Sequence, residues 1–203
     1  MEDLSAGKEL ISSGMKEEVE RCRLALRRAR EGKTVALVSS GDAGIYGMAG
    51  LAIELAHAEG GGVAIEIVPG VTAASGAAAR LGAPLMLDFA VISLSDLLVP
   101  WETIRRRVEA VAAADMVVAL YNPRSTKRVR ELEETVEILL GHRGPETPVG
   151  LCRAVGSPEE SVTLTTLGAL LAQAVDMRTV VIVGNSMSRV IDGWFVTARG
   201  YAI

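Results

Sequence analysis

The sequence predicts an α/β protein, and three observations lead to that prediction. Thr34–Val38 is a short segment that is apolar on both faces, as is typical of strands in a parallel sheet, and Val63–Val68 is predicted as a second buried strand. Segments with helical periodicity alternate with them, which is the order expected of strand–helix–strand units. Hydrophobic residues make up 49% of the 203 residues, so there is ample material for a buried core.

The first half of the chain alternates between strands and helices. Residues 9–13 are predicted to form a short strand. A following helix is indicated by one apolar stripe, formed by Met15, Val19, Cys22, Leu26 and Ala29. After the strand at 34–38, a glycine-rich loop at 39–47 opens a small-residue helix over 48–58. The strand at 63–68 then leads into an alanine-rich helix over 72–79, which Thr72 can cap.

The pattern breaks at 81–84, and we place a domain boundary there. Residues 1–84 are predicted to form an N-terminal α/β domain with a mostly parallel sheet, and residues 85–203 a C-terminal α/β domain. The second domain is predicted to contain strands near 90–94, 116–121, 148–152, 161–165 and 179–183, and helices near 101–114, 126–140 and 167–174. Only a loop separates 148–152 from 161–165, which indicates an antiparallel pair and a mixed sheet.

Composition excludes several classes of function. The net charge of -4 and the aromatic content of 3% give no basis for nucleic-acid binding. The two cysteines and two histidines have no metal-ligand spacing, so we expect reduced thiols and no bound metal. The start is acidic, and no apolar run reaches the roughly 18 residues of a membrane span. These features predict a cytoplasmic protein without a membrane segment.

Two glycine-containing loops are candidate ligand sites, because each follows a predicted strand and opens a helix. The first contains Ser40, Gly41, Asp42 and Ile45, and its glycines would let a ligand approach the backbone. It is neither a P-loop nor a dinucleotide fingerprint. The second contains Thr72 and Ala73, where a hydroxyl and free helix-start amides are available. Ordinary capped turns are the alternative reading of both loops.

Polar residues also follow two strands of the second half. Ser93, Ser95 and Asp96 could bind polar substituents or relay a proton. Asn122 offers both a donor and an acceptor, and Arg124 could pair with a carboxylate. A capped loop and a solvated turn are the respective alternatives.

Six ordered motifs resemble those of the tetrapyrrole methylase family, and in particular its precorrin-3B C17-methyltransferase branch. The resemblance covers essentially the whole chain. The matching runs are Ile11–Met15, Val38–Asp42 with Ile45–Met48, Val68–Ala73, Asp88–Asp96 with Pro100–Trp101, Leu120–Ser125, and Gly184–Ser186 with Arg199–Tyr201. The runs at 93–96 and 121–125 favour this branch over its siblings.

The resemblance implies two α/β domains with S-adenosylmethionine in the cleft between them, and a homodimer. It implies methylation at C17 of a C20-oxidised tetrapyrrole, coupled to ring contraction. Methyl transfer from a sulfonium requires orientation rather than a strong acid, base or metal, which agrees with the absence of a catalytic triad. The implied cofactor contacts are Ser40, Gly41, Asp42, Ile45, Thr72, Ala73, Tyr121, Asn122 and Ala154.

The acidic precorrin substrate would need cations and hydroxyls around it. We expect Ser93, Ser95 and Arg124 to contact the substrate. Asp96 would repel a carboxylate, so its expected role is catalytic: it accepts a proton from the C20 hydroxyl as the ring contracts. The alternative is that Asp96 only caps the turn before Pro100.

Two departures from the family pattern affect this interpretation. Nothing before Glu9 matches the Gly-x-Gly-Pro-Gly-Asp loop of the family's first strand, which implies either a late start or a truncation. Ala43 stands where proline is usual. A sibling methylase acting at another ring position, and a truncated inactive cofactor-binding protein, therefore remain alternatives. Whether the substrate is metal-free or carries cobalt also stays open.

Overall fold

The computed structural model describes residues 5–14 and 17–202, and it divides into two compact units. The first unit extends to Thr72 and the second begins at Ala73. Helices and two sheets confirm the α/β class. The division falls before the helix at 73–81, so that helix packs within the second unit, whereas a domain boundary near residue 84 stays a prediction.

The first unit contains two helices, α1 (Glu18–Arg30) and α2 (Ala49–Ala58). Helix α1 confirms part of the predicted apolar stripe: Cys22 and Leu26 are buried, whereas Val19 is 41% exposed. Met15 lies outside the described residues. Acidic residues begin the helix and basic residues end it, which complements the helix dipole.

Ion pairs join the two helices of the first unit. Arg23 and Arg30 of α1 both bind the carboxylate of Glu59, the residue that follows α2, at 3.3 and 2.9 Å. Because these side chains are partly exposed, each ion pair contributes little to the free energy of unfolding. The pairs do link α1 to the end of α2.

The predicted strands of the first unit are wrong in the structure. Residues 9–13, 34–38 and 63–68 are irregular. The segment predicted as a buried strand is open to solvent: Ile67 is 43% exposed and Val68 is 70% exposed. A strand needs a neighbour to take its backbone hydrogen bonds, and these segments find no such partner among the described residues.

The second unit is built around a five-stranded mixed sheet. Its elements, in chain order, are α3 (Ala73–Leu81), β1 (Gly82–Ala83), β2 (Phe89–Ser93), α4 (Trp101–Ala113), β3 (Val117–Tyr121), α5 (Arg130–Leu140), β4 (Pro148–Arg153), β5 (Ser161–Thr166), a 3₁₀ helix (Leu167–Ala172), β6 (Thr179–Val183), β7 (Ser188–Ile191) and β8 (Trp194–Thr197). The large sheet has the order β2-β3-β6-β4-β5. The predicted second-half strands are thereby confirmed to within about two residues at each end.

Strand directions bring three strand ends to one edge of this sheet. Strand β2 is parallel to β3, and β6 is antiparallel to both β3 and β4. Strands β2, β3 and β4 therefore all end at the same edge, which we call the carboxyl edge; it carries Ser93, Tyr121 and Arg153. Strand β5 pairs antiparallel with β4, as the short connection predicted.

Helices cover both faces of the large sheet. Val118 and Leu120 of β3 lie in a core with residues of α4 and α5, such as Val108 and Leu132. On the other face, Val117 and Ala119 pack in a core with α3. Strand β3 is thus apolar along its whole length because both of its faces are buried.

A smaller sheet, of order β1-β8-β7, was missed by the sequence analysis. Strands β7 and β8 form a hairpin whose two-residue turn is Asp192-Gly193, with φ of 49° and 83°. Asp-Gly is the preferred sequence for a turn that needs two positive φ angles, so the signal was present. Within the described part of the chain, no helix is long and apolar enough to cross a bilayer.

Candidate active site

The glycine loop at 39–47 in the first unit is organised by the carboxylate of Asp42. The amide of Gly44 donates to Oδ1 at 2.8 Å, and the amide of Gly70 donates to Oδ2 at 2.9 Å. The second bond joins the loop to the turn at 68–72, so one side chain holds together the two predicted cofactor loops of this unit.

Hydrogen bonding also sets the charge state of Asp42. Donation from the amide of Gly70, then from that of Gly44, holds the pKa of the Asp42 carboxyl below its usual value. The carboxylate is therefore ionised at neutral pH. It acts within the first unit as an anchor for backbone amides.

Backbone contacts in these loops leave no room for side chains. A Cβ at Gly70 would lie 2.1 Å from the carbonyl oxygen of Gly41, and one at Gly47 would lie 2.4 Å from that of Ala43. Gly41 itself has a φ of +77°. The glycines are thus required by close packing of the loops, which leaves Ser40 and Ile45 exposed on the outside.

In the second unit, Tyr121 and Asn122 lie at the carboxyl edge. The amide of Ala74, in the first turn of α3, donates to the Tyr121 hydroxyl at 2.7 Å. Asn122 has a φ of +50°, and its Nδ2 donates to Ser93 Oγ at 3.0 Å. The structure therefore brings together Ser93, Tyr121 and Asn122, all three of which the sequence selected.

The turn at 153–157 is the third part of the carboxyl edge. Ala154 is buried with a φ of +52°, and its amide donates to the carbonyl of Arg178. Because β6 lies between β3 and β4, this turn is about 10 Å along the sheet from Asn122. That distance suits a ligand of several linked groups.

Helix α3 spans the space between these two parts of the edge. Its first turn contacts Tyr121, and a Cβ at Gly76 would lie 2.6 Å from Cγ1 of Val155. The small residues of α3 thus let the helix approach both the strand end and the turn. Ala73 begins this helix, and Thr72 directly precedes it as a half-buried residue of the first unit.

The predicted substrate and catalytic residues form fewer hydrogen bonds and ion pairs than the predicted cofactor residues. Ser95 donates its amide to Ser93 Oγ at 3.2 Å. Asp96 is exposed, and its side chain forms no hydrogen bond or ion pair with any residue that the structure describes. Helix α4 has no side-chain cap, so the capping alternative for Asp96 gains no support. Arg124 is half-buried and likewise has no partner in the described ranges.

Two residues that support the carboxyl edge were missed by the sequence analysis. Arg128 is buried and donates to the carbonyl of Asn122. Glu160 accepts from the amide of Gly156 at 2.6 Å and from Arg80 Nε at 2.6 Å, which lowers the pKa of its carboxyl. Neither has a sequence signal, because each binds a backbone amide or carbonyl, which carries no residue-specific signature.

The chemistry of this arrangement is orientation through backbone groups. No cluster of three or more metal-ligating side chains occurs in the described part of the chain. Glycine turns, strand-end carbonyls and helix-start amides suit a ligand with both polar and apolar groups, and S-adenosylmethionine fits that description. The fold and the site suit an α/β protein that orients a ligand which brings its own reactive group.

Comparison with known proteins identifies the family. Residues 3–171 match the tetrapyrrole (corrin/porphyrin) methylases, and the chain belongs to that family. Tetrapyrrole methylases take their methyl group from S-adenosylmethionine, which is therefore the cofactor of this chain. A structural neighbour, a uroporphyrin-III C-methyl transferase from Thermus thermophilus, was solved with S-adenosylhomocysteine (25% identity, TM-score 0.64, 88% of this chain and 78% of that chain).

Individual relatives point to one branch. A probable cobalt-factor III C(17)-methyltransferase of Salmonella typhimurium is 47% identical over 97% of this chain and 81% of its own length. A protein of the same name from Methanothermobacter thermautotrophicus is 48% identical over 100% of this chain, and the cobalt-factor III methyltransferase of Priestia megaterium is 47% identical over 99%. The chain spans 57% and 38% of those two longer relatives. The crystal structure of the methyltransferase CobJ matches with a TM-score of 0.87 at 39% identity, over 95% of this chain and 82% of that chain.

Proposed function

We propose that this protein transfers a methyl group from S-adenosylmethionine to C17 of cobalt-factor III, with contraction of the macrocycle. The observation that carries the proposal is the 47–48% identity to two relatives named as probable cobalt-factor III C(17)-methyltransferases, over nearly the whole chain. These names favour the cobalt-bearing substrate over metal-free precorrin-3B, which the motifs alone left open.

The cofactor is proposed to contact loop residues in each unit, taken separately. In the first unit it contacts Ser40, Gly41, Asp42, Ile45 and Thr72; in the second it contacts Ala73, Tyr121, Asn122 and Ala154. Support comes from the hydrogen bonds that organise these loops, since Asp42 fixes the glycine loop and Ala74 fixes Tyr121. A site held in one geometry before binding loses less entropy when the ligand arrives.

The substrate is proposed to contact Ser93, Ser95 and Arg124, with Asp96 as the proton acceptor. Arg124 has no partner among the described residues, so its guanidinium is available to a substrate carboxylate. Asp96 is likewise available for proton transfer. We further propose that the protein works as a cytoplasmic homodimer.

A second candidate function is methylation at another position of the ring. The structure of a cobalt precorrin-4 methyltransferase matches this chain with a TM-score of 0.68 at 27% identity. That identity is well below the 39% shared with CobJ, which favours the C17 assignment.

The test is incubation of the protein with ¹³C-methyl-labelled S-adenosylmethionine and either cobalt-factor III or metal-free precorrin-3B. We expect stoichiometric S-adenosylhomocysteine and a ring-contracted product, with NMR placing the label on C17 of the cobalt-bearing compound. The control is the same mixture saturated with S-adenosylhomocysteine, which competes for the cofactor site. A label at another carbon would establish a sibling methylase, and cofactor binding without turnover would establish the inactive binding protein.

A further inference from the structure

Arg128 is a buried arginine that follows the loop at 121–125. It is 8% exposed, and its Nη2 donates to the carbonyl oxygen of Asn122 while lying 3.4 Å from the sulfur of Met177. Its Nε has no hydrogen-bond partner, and no carboxylate pairs with the guanidinium, within the residues that the structure describes. Burial of a cation with so little compensation is unfavourable, so the position of Arg128 requires an explanation.

The group that Arg128 holds is in a sparsely populated conformation. Asn122 has a φ of +50°, in the left-handed region that residues with a side chain seldom adopt. Its carbonyl is directed toward Arg128, and its side-chain amide donates to Ser93 Oγ. Return of Asn122 to an ordinary backbone conformation would turn both groups away from these partners.

Arg128 is itself fixed by a closed turn. Its amide donates to Ser125 Oγ at 3.0 Å, and its carbonyl accepts from the amide of Ser125 at 2.9 Å. The backbone from Ser125 to Arg128 is thus closed by two hydrogen bonds, and from this turn the guanidinium reaches the carbonyl of Asn122.

We propose that Arg128 is a positioning residue for the methyl-transfer site. It acts through Asn122: the buried guanidinium holds the left-handed backbone, which in turn aims the Asn122 side chain at the carboxyl edge. The proposal rests on the proposed function only in that Asn122 contacts the cofactor. It assigns to Arg128 a role in cofactor affinity as well as in folding.

Arg143 provides a matched control in the same unit. It is also 8% exposed, its guanidinium donates to two backbone carbonyls, those of Gly184 and Met116, and its Nε also lacks a partner among the described residues. Met116 precedes β3 and Gly184 follows β6, so Arg143 lies at the sheet edge opposite to Tyr121. The two arginines share burial and chemistry and differ in location.

The experiment compares Arg128→Lys with Arg143→Lys in three measurements: melting temperature, S-adenosylhomocysteine affinity by calorimetry, and the NMR signals of the Asn122 side-chain amide. Both variants should have a lower melting temperature than the parent, because each leaves a buried carbonyl without its guanidinium partner. Arg128→Lys should lose about tenfold or more in affinity and should shift the Asn122 amide signals. Arg143→Lys should keep the parent affinity and the parent Asn122 signals.

Several outcomes would overturn the proposal. Equal affinities in the two variants, or unchanged Asn122 signals in Arg128→Lys, would reduce Arg128 to a stabilising residue. Parent protein that fails to bind S-adenosylhomocysteine would also remove the proposed role. If the parent binds that ligand but methylates no tetrapyrrole, the proposed function fails, while the affinity comparison still decides the role of Arg128.

Discussion

The amide of Ala74 donates a hydrogen bond to the hydroxyl of Tyr121 at a distance of 2.7 Å. Ala74 is 1% exposed, and its amide belongs to the first turn of α3, where no carbonyl of the same helix can accept it. Tyr121 ends β3 and supplies the missing acceptor. The bond therefore joins the start of a helix to the end of a strand, at the edge where the cofactor is proposed to bind.

Tyr121→Phe should lower the free energy of unfolding by about 1–3 kcal/mol, because it leaves the buried Ala74 amide without its acceptor. Affinity for S-adenosylhomocysteine should fall as well, since the start of α3 is released. Urea unfolding and calorimetry measure the two effects. Tyr201→Phe is the control: Tyr201 is 70% exposed, and its variant should match the parent in both. An unchanged unfolding energy in Tyr121→Phe would contradict the role given to the hydroxyl.

Asp42→Asn should weaken S-adenosylhomocysteine binding by about tenfold, because an amide side chain cannot accept from both Gly44 and Gly70 on two oxygens. Calorimetry on the variant measures the loss. Unchanged affinity with a lower melting temperature would show that Asp42 serves only to cap the loop.

The lowered pKa of Asp42 also predicts that this residue contributes less to folding stability as the pH falls. The pKa of Asp42 is lowered in the folded protein, so its contribution to stability is complete above the unfolded value of about 3.9 and is lost as pH falls through the lower folded value. Asparagine does not titrate. Melting temperature measured from pH 7 to pH 3 should therefore fall less steeply below about pH 4 in Asp42→Asn than in the parent. Parallel curves would contradict this linkage.

Gly70→Ala should abolish detectable S-adenosylhomocysteine binding, because the new methyl group would overlap the carbonyl oxygen of Gly41. The glycine loop and the 68–72 turn would have to separate. Gly50→Ala is the control, since a Cβ there meets open space inside α2 and should stabilise that helix by about 0.5–1 kcal/mol. Calorimetry and thermal unfolding of both variants test the contrast, and parent-like binding by Gly70→Ala would refute it.

Asp96→Asn should slow methylation in a single turnover by about 10²–10⁴-fold while leaving stability unchanged. The stability expectation follows from the exposed side chain, which has no partner in the described residues. Asp88→Asn is the matched control, because Asp88 is an exposed aspartate just before β2, as Asp96 follows it. Equal rates in the parent and in both variants would show that Asp96 does not accept the proton.

Several of the structural elements could be predicted from local pattern. The apolar stripe of α1 and the doubly apolar β3 and β6 depend only on residue spacing, which the sequence states directly. The segments at 34–38 and 63–68 are also largely apolar, yet they are irregular in the structure. Spacing shows that a segment favours a strand, but a strand forms only where a neighbour accepts its hydrogen bonds.

The sequence alone determined the fold class, the family and the motifs from which the site was proposed, because glycine loops and strand-end polar residues are contiguous in the chain. Tertiary structure decided which of these residues support one another. The bond from Asn122 to Ser93, the acceptance of the Ala74 amide by Tyr121, and the carbonyl held by buried Arg128 are the examples. The first two contacts join residues 29 and 47 positions apart, and the third depends on a backbone carbonyl that any residue possesses. A local pattern cannot encode the two long-range pairings, since they exist only after packing of the sheet and α3 brings the groups within hydrogen-bonding distance.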